Sequence, residues 1–136
     1  MEYIKNFEEW NTKKQSIEKS SFSPAYFSEG EVWWLSIGIN IGYEEDGKSR
    51  VFSRPVLIVK KFNRNLFLGI PLSTKVKDSP YYIPILFRGR PMAVMISQLR
   101  AFSSKRLLEK MGKLENIYYQ DIVFCTKNLF VKSSKA

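Results

Sequence analysis

The chain has 136 residues, of which 44% are hydrophobic and 15% aromatic. That suits one domain of ordinary size and argues against a disordered chain. Lys and Arg number 22 against 13 Asp and Glu, a net charge of +9. Such an excess favours an anionic partner (nucleic acid, an acidic protein or a lipid surface), although a solvated basic surface gives the same sum. One cysteine, Cys125, and no histidine exclude an internal disulfide framework, a multi-cysteine zinc site and every nucleophile that relies on an imidazole.

Residues 2–20 read as a polar amphipathic helix with Ile4, Phe7, Asn11, Lys14 and Ile17 on one face and Trp10 near its edge. Acidic residues interrupt this segment, so it does not fit a signal peptide, and no stretch approaches the length of a membrane span. A cytoplasmic location and no membrane partner are expected. The run Ser20-Ser21-Phe22-Ser23-Pro24 breaks the pattern. Residues 1–28 are therefore expected to be a helical appendage, and residues 29–136 the main domain.

A first strand is expected over 31–38, where Trp33 and Trp34 point to opposite faces, one into the core and the other toward a base or an interface. Residues 40–53 form a long polar loop, of the kind that is often functional or mobile. Strands follow over 55–60, 66–72, 81–87 and 92–96, separated by turns too short for βαβ crossovers. A short helix is expected over 105–111, ended by Gly112. A longer one is expected over 116–130, with Ile117, Asp121, Ile122, Cys125 and Leu129 mostly on one side. The fold class is mainly β with appended helices (α+β). About five short antiparallel strands suggest a small SH3-like or OB-like barrel.

Five blocks in order resemble the MazF/PemK toxins of type II toxin-antitoxin systems. They are Gly30-Glu31-Val32-Trp33-Trp34, Gly42-Tyr43-Glu44-Glu45, Arg54-Pro55-Val56-Leu57-Ile58-Val59, Pro71-Leu72-Ser73-Thr74, and Ser97-Gln98-Leu99-Arg100 with Ser104-Lys105-Arg106-Leu107. The resemblance covers about residues 29–112. It implies an SH3-like barrel that forms a homodimer and an endoribonuclease for single-stranded RNA that uses no metal and no other cofactor. It also implies a cognate antitoxin whose acidic segment covers the RNA groove. The chain departs from the family pattern at several places. Extra residues occupy about 46–53, Ser97 and Ser103 stand where acids are usual, Ser73 stands where a Thr is usual, and the N-terminal segment is added.

RNA supplies its own nucleophile, the 2′-hydroxyl, so the protein must align it, stabilise a charged phosphorane and help protons move. On the family pattern, Arg54 is the first catalytic candidate, because a guanidinium grips two phosphate oxygens and stays charged. Ser73 is the second, with Thr74 beside it, because a hydroxyl donates to a phosphate oxygen without adding charge. Substrate-binding candidates are Glu44, Gln98, Arg100, Lys75 and Lys77, and Lys60, Lys61 and Arg64 extend the basic set. Each has a plainer use, such as a solvated charge or a turn cap. Two other functions of the same fold stay open: a gyrase-binding toxin resembling CcdB, and a nucleic-acid-binding module without catalysis.

Overall fold

The computed structural model describes residues 3–21, 26–49 and 51–131. Its first element is a helix, α1 (Phe7–Lys19), capped by Asn6, whose side-chain oxygen accepts from Glu9 N at 3.1 Å. Glu8 and Glu9 in the first turn and Lys19 in the last match the helix dipole. The stripe expected from periodicity is not the one that docks. Ile4 is 82% and Phe7 51% exposed, whereas Trp10 is buried, with half-buried Lys13 and Ile17 along the same face. Trp10 packs on Ile39 and Phe52, with the ring centroids of the two aromatics 5.5 Å apart. It can do so because it lies over Gly38, where an added Cβ would come within 2.2 Å of the indole. One aromatic entering a gap without a side chain outweighs a weak helical stripe.

Seven antiparallel strands follow: β1 (Glu31–Ser36), β2 (Ser53–Lys61), β3 (Leu66–Ser73), β4 (Tyr82–Phe87), β5 (Arg90–Met95), β6 (Arg100–Ser103) and β7 (Leu107–Lys113). Their order is β4-β5-β3-β2-β1-β7, with β6 also paired to β3. The first five lie close to their expected positions. β6 and β7 are additional. The helix expected over 105–111 is a correction: only Ser104–Arg106 forms a 3-10 turn, and Leu107–Lys113 is a strand. Leu107 is buried, and the free edge of β1 takes up Lys113, Lys110 and Leu107 opposite Glu31, Trp33 and Leu35. Edge pairing thus overrides local helix propensity.

The sheet coils strongly, but its end strands β4 and β7 share no ladder among the described residues. They meet through side chains instead. Phe87 lies over Gly112, and Arg88 donates to Met111 O at 2.8 Å. The barrel expected from the sequence is therefore an open, coiled seven-stranded sheet within an α+β fold. Both faces are buried, following the alternation of each strand. Val32, Leu57, Ile70, Leu72 and Val94 face one cluster, which the helix α2 (Asn116–Asn128) completes through Ile122. Trp33, Leu35, Ile58, Phe67 and Phe102 face the other. On α2, Ile122, Cys125 and Leu129 of the expected face do pack inward, and Ile117 and Asp121 do not. Ile117 is 75% exposed, while Tyr119 donates to Val59 O at 2.7 Å.

Glu31 is a buried carboxylate at the start of β1. It accepts from Trp33 Nε1 at 3.0 Å and Ser28 N at 2.8 Å, and Lys110 Nζ lies 2.9 Å away. Burial on its own would raise its pKa, but the hydrogen bonds from Trp33, Lys110 and Ser28 together outweigh it and hold the group below its ordinary 4.5. A depressed folded-state pKa adds stability above the unfolded value and loses it as pH falls through the folded one. Glu31→Gln should thus cost about 1–3 kcal/mol at pH 7. The gap to wild type should narrow as urea-unfolding midpoints are followed from pH 5 downward.

Candidate active site

The described residues between β1 and β2 are tied down by hydrogen bonds. Lys48 and Ser53 exchange two backbone hydrogen bonds of 2.8 Å each, and Phe52 O accepts from Ile37 N and Gly38 N. Buried Phe52 anchors the turn under Trp10. Gly47 N donates to Gly38 O at 2.7 Å, and a Cβ on Gly47 would lie 1.7 Å from Phe52 O, so no other residue fits there without moving the backbone. Asp46 then accepts from Asn40 N at 2.6 Å, and Asn40 Nδ2 donates to Glu45 O at 2.8 Å. These contacts set Glu45 and Asp46 directly over the start of β2.

Arg54 lies beneath them, with its side chain only 10% exposed. Nη2 is 2.7 Å from a Glu45 carboxylate oxygen, Nε donates to Asp46 O at 2.8 Å, and Nη1 donates to Leu72 O at 3.3 Å. The β2–β3 ladder ends at Val56 opposite Pro71, and beyond it the Arg54 guanidinium reaches Leu72 O, the residue before Ser73. Ser73 is half-buried, and its hydroxyl oxygen accepts from Lys75 N at 3.1 Å, which leaves its own proton to donate. Thr74 follows on the exposed side of the turn. Ser73 and Thr74 thus follow directly on the β3 residue that Arg54 touches.

The expected binding residues divide. Gln98 grips the loop: its oxygen accepts from Glu45 N at 3.0 Å and its nitrogen donates to Tyr43 O at 3.1 Å. Glu44 closes a turn by accepting from Ile41 N at 3.1 Å. It is Glu45, next to it, that faces Arg54. The Arg100 guanidinium lies 4.6 Å from the centre of the Phe102 ring, and Lys77 Nζ lies 5.3 Å from that of Tyr82. Lys60, Lys61 and Arg64 do not join the site. They lie at the opposite end of β2, on the order of 20 Å from Arg54 at ordinary strand rise. There Lys60 pairs with Glu29, and Lys61 donates to Phe27 O. Of the adjacent tryptophans on β1, Trp33 is in the core and Trp34 faces outward.

Two grooves flank the loop. One, of about 770 Å³, has Asn6, Ile39, Ser49, Phe52, Arg54 and Lys75 among its walls. The other, of about 420 Å³, has Asn40, Pro71, Gln98, Leu99 and Arg100. Glu44 and Glu45 line both, so the loop is the partition between them. Close to the second groove, burial and then the charge of Arg100 push Arg106 down to about 10, so it is still protonated at neutral pH.

Sequence reasoning missed Glu45, Asp46 and the N-terminal pair Tyr3 and Lys5. Glu45 stood within a quoted block, but its neighbour was chosen. Lys5 Nζ donates to Asn40 O at 2.6 Å and Gly42 O at 3.2 Å and lies 3.3 Å from an Asp46 carboxylate oxygen. Tyr3 donates to that carboxylate at 3.0 Å, and its hydroxyl pKa is raised, by burial first and then by this bond. No local pattern in the sequence signals a contact across some forty residues.

Gly47→Ala should unseat the loop while sparing the sheet. Hydrogen exchange of the amides between Gly38 and Gly47 should accelerate, with strand amides unchanged, and global stability should fall by about 2 kcal/mol.

A family profile described as the PemK-like, MazF-like toxin of type II toxin-antitoxin systems matches residues 28–129. No curated protein sequence matches the chain. Among solved structures, MazF from Deinococcus radiodurans superposes with a TM-score of 0.65 at 19% identity, over 80% of this chain and 97% of that one. The same organism's MazE-MazF complex gives 0.60 at 17% identity, over 83% and 100%. A mycobacterial endoribonuclease in complex with its cognate antitoxin gives 0.59 at 15%, over 79% and 99%. At these identities the likeness is one of fold.

Proposed function

The chain belongs to the PemK-like, MazF-like toxins of type II toxin-antitoxin systems, and from that premise we propose that it is an endoribonuclease that cuts single-stranded RNA. The observation that carries the proposal is Arg54, a nearly buried guanidinium that already holds an anionic oxygen, that of Glu45, at 2.7 Å, and also bonds Leu72 O, the residue before Ser73. A phosphodiester presents the same charge and the same paired oxygens as a carboxylate. Glu45 occupies the place the scissile phosphate takes once the loop moves aside.

In that reaction the 2′-oxygen forms a bond to phosphorus and the bond from phosphorus to the 5′-oxygen breaks. One proton leaves the 2′-hydroxyl and one is delivered to the departing 5′-oxygen. The products are a 2′,3′-cyclic phosphate and a free 5′-hydroxyl. Arg54 balances the charge of the phosphorane, and Ser73, or Thr74 next to it, donates to a non-bridging oxygen. Glu45, once released from Arg54, is a carboxylate beside the reacting phosphate and is suited to take the 2′-proton. Lys75 on one side and Arg100 on the other hold the flanking phosphates and bases, while Gln98 keeps its two bonds to the loop. The nucleophile is internal to the substrate and the guanidinium supplies the positive charge, so the step is written without a metal.

The MazE-MazF and endoribonuclease-antitoxin complexes among its structural neighbours support a cognate antitoxin as partner. An acidic antitoxin segment would match the cations of the two grooves. We extend the family's homodimer and cytoplasmic setting to this chain as part of the proposal. Among the described residues, no helix is long and apolar enough to cross a membrane. Residues 1–28 are read as an addition to the toxin domain.

The purified protein, incubated with single-stranded RNA and EDTA, should give discrete fragments ending in 2′,3′-cyclic phosphate. Arg54→Ala should cut at least about 100-fold more slowly, with its circular dichroism retained. Arg54→Lys, which keeps the charge and loses the fork, should fall in between. Equal cutting by Arg54→Ala would remove Arg54 from the site. Intact RNA with salt-sensitive binding would leave a binding module, and loss of gyrase supercoiling would leave a gyrase poison.

A further inference from the structure

Two of the chain's departures from its family pattern, the N-terminal segment and the residues added around 46–53, pack against each other. The family profile begins at residue 28, so α1 and the residues before it lie outside the matched region. Yet Trp10 is seated over Gly38 and against Phe52, at the base of the added residues. From that anchor the chain before α1 lies along the rim of the loop. Lys5 binds Asn40 O, Gly42 O and the Asp46 carboxylate, and Tyr3 binds the same carboxylate. Asp46 also receives Asn40 N on its other oxygen and offers its carbonyl to Arg54 Nε. One residue thus joins the N-terminal segment, the loop and the guanidinium.

We propose that the N-terminal segment is a built-in strap that fastens the β1–β2 loop over Arg54 and so throttles access of RNA to it. The proposal rests on the nuclease reading for its consequence, though not for its geometry. With the strap fastened, Glu45 stays paired to Arg54 and the loop divides the site into two grooves. With the strap released, Asp46 loses two donors on one oxygen, only Gln98 and the loop's own hydrogen bonds restrain the loop, and its displacement by RNA merges the grooves into one track. Trp10 keeps the strap tethered, so release at Tyr3 and Lys5 is reversible and does not require α1 to unfold. The arrangement acts as autoinhibition, supplied in cis by a segment outside the matched toxin domain.

The test compares the full-length protein with a Tyr3→Phe/Lys5→Ala double variant and with Lys5→Arg. Two readouts are taken on each: hydrogen exchange of the amides in residues 40–47, and the rate of cleavage of a single-stranded RNA under single-turnover conditions. The double variant should exchange about tenfold faster in the loop, at unchanged exchange in β2 and β3, and should cleave several-fold faster. Lys5→Arg, which keeps the charge and the donors, should behave close to wild type. If the loop loosens and neither protein cuts RNA, the strap stands and the nuclease reading fails. If the loop exchanges as before, or if it loosens and cleavage by an active protein does not rise, the strap is overturned. Should the double variant fold poorly, Tyr3→Phe alone carries the same expectation at smaller size.

Discussion

A guanidinium taken out of water has to be paired, and the pairing of Arg54 with Glu45 is the constraint around which the rest of this site is arranged. Leaving the nearly buried Arg54 without its partner costs several kcal/mol, whereas the partly exposed Glu45 would be partly solvated. The two carbonyls that complete the shell of Arg54 come from opposite sides, one from the loop at Asp46 and one from β3 at Leu72. The ion pair therefore also sets the distance between loop and sheet. Gly47 has no room for a side chain, Gln98 bonds the loop at two points, and Lys5 and Tyr3 clasp its rim. All of these contacts hold Glu45 where it is.

The arrangement also explains why so basic a chain places carboxylates over its most buried functional cation. An empty arginine pocket would be costly to maintain in the resting protein. A carboxylate from the loop satisfies it, and on the proposed function a phosphate takes that carboxylate's place. Further positive charge lies on either side, at Lys75 and at Arg100, and on the proposed function it would draw a polyanion along the surface toward Arg54.

Much of the fold was legible because β-branched runs such as Pro55-Val56-Leu57-Ile58-Val59 leave few alternatives to a buried strand. β7 was not, because Leu107-Leu108-Glu109-Lys110-Met111 carries as much helical as strand character, and only the free edge of β1 decides between them. The buried face of α1 was hidden for a related reason: a glycine in β1's continuation, far along the chain, selects Trp10 rather than the helix's own stripe. At the site, the proximity of Arg54 and Ser73 follows from adjacent antiparallel strands and could be read from the order of the blocks. The use of Gln98 could not, since it acts on backbone groups of a loop whose path no side-chain pattern records. The lysines at 60 and 61 belonged to the basic set by composition alone. Strand length carries them to the far end of the sheet.

The most direct test of the exchange between carboxylate and phosphate is a crystal structure of this chain with a single-stranded RNA made uncleavable by a 2′-deoxy substitution at the cut site. A phosphate oxygen should lie within about 3 Å of the Arg54 guanidinium, a normal charge-assisted hydrogen bond, with Glu45 displaced and Ser73 or Thr74 in contact. RNA bound elsewhere, with Glu45 still closed on Arg54, would contradict the account.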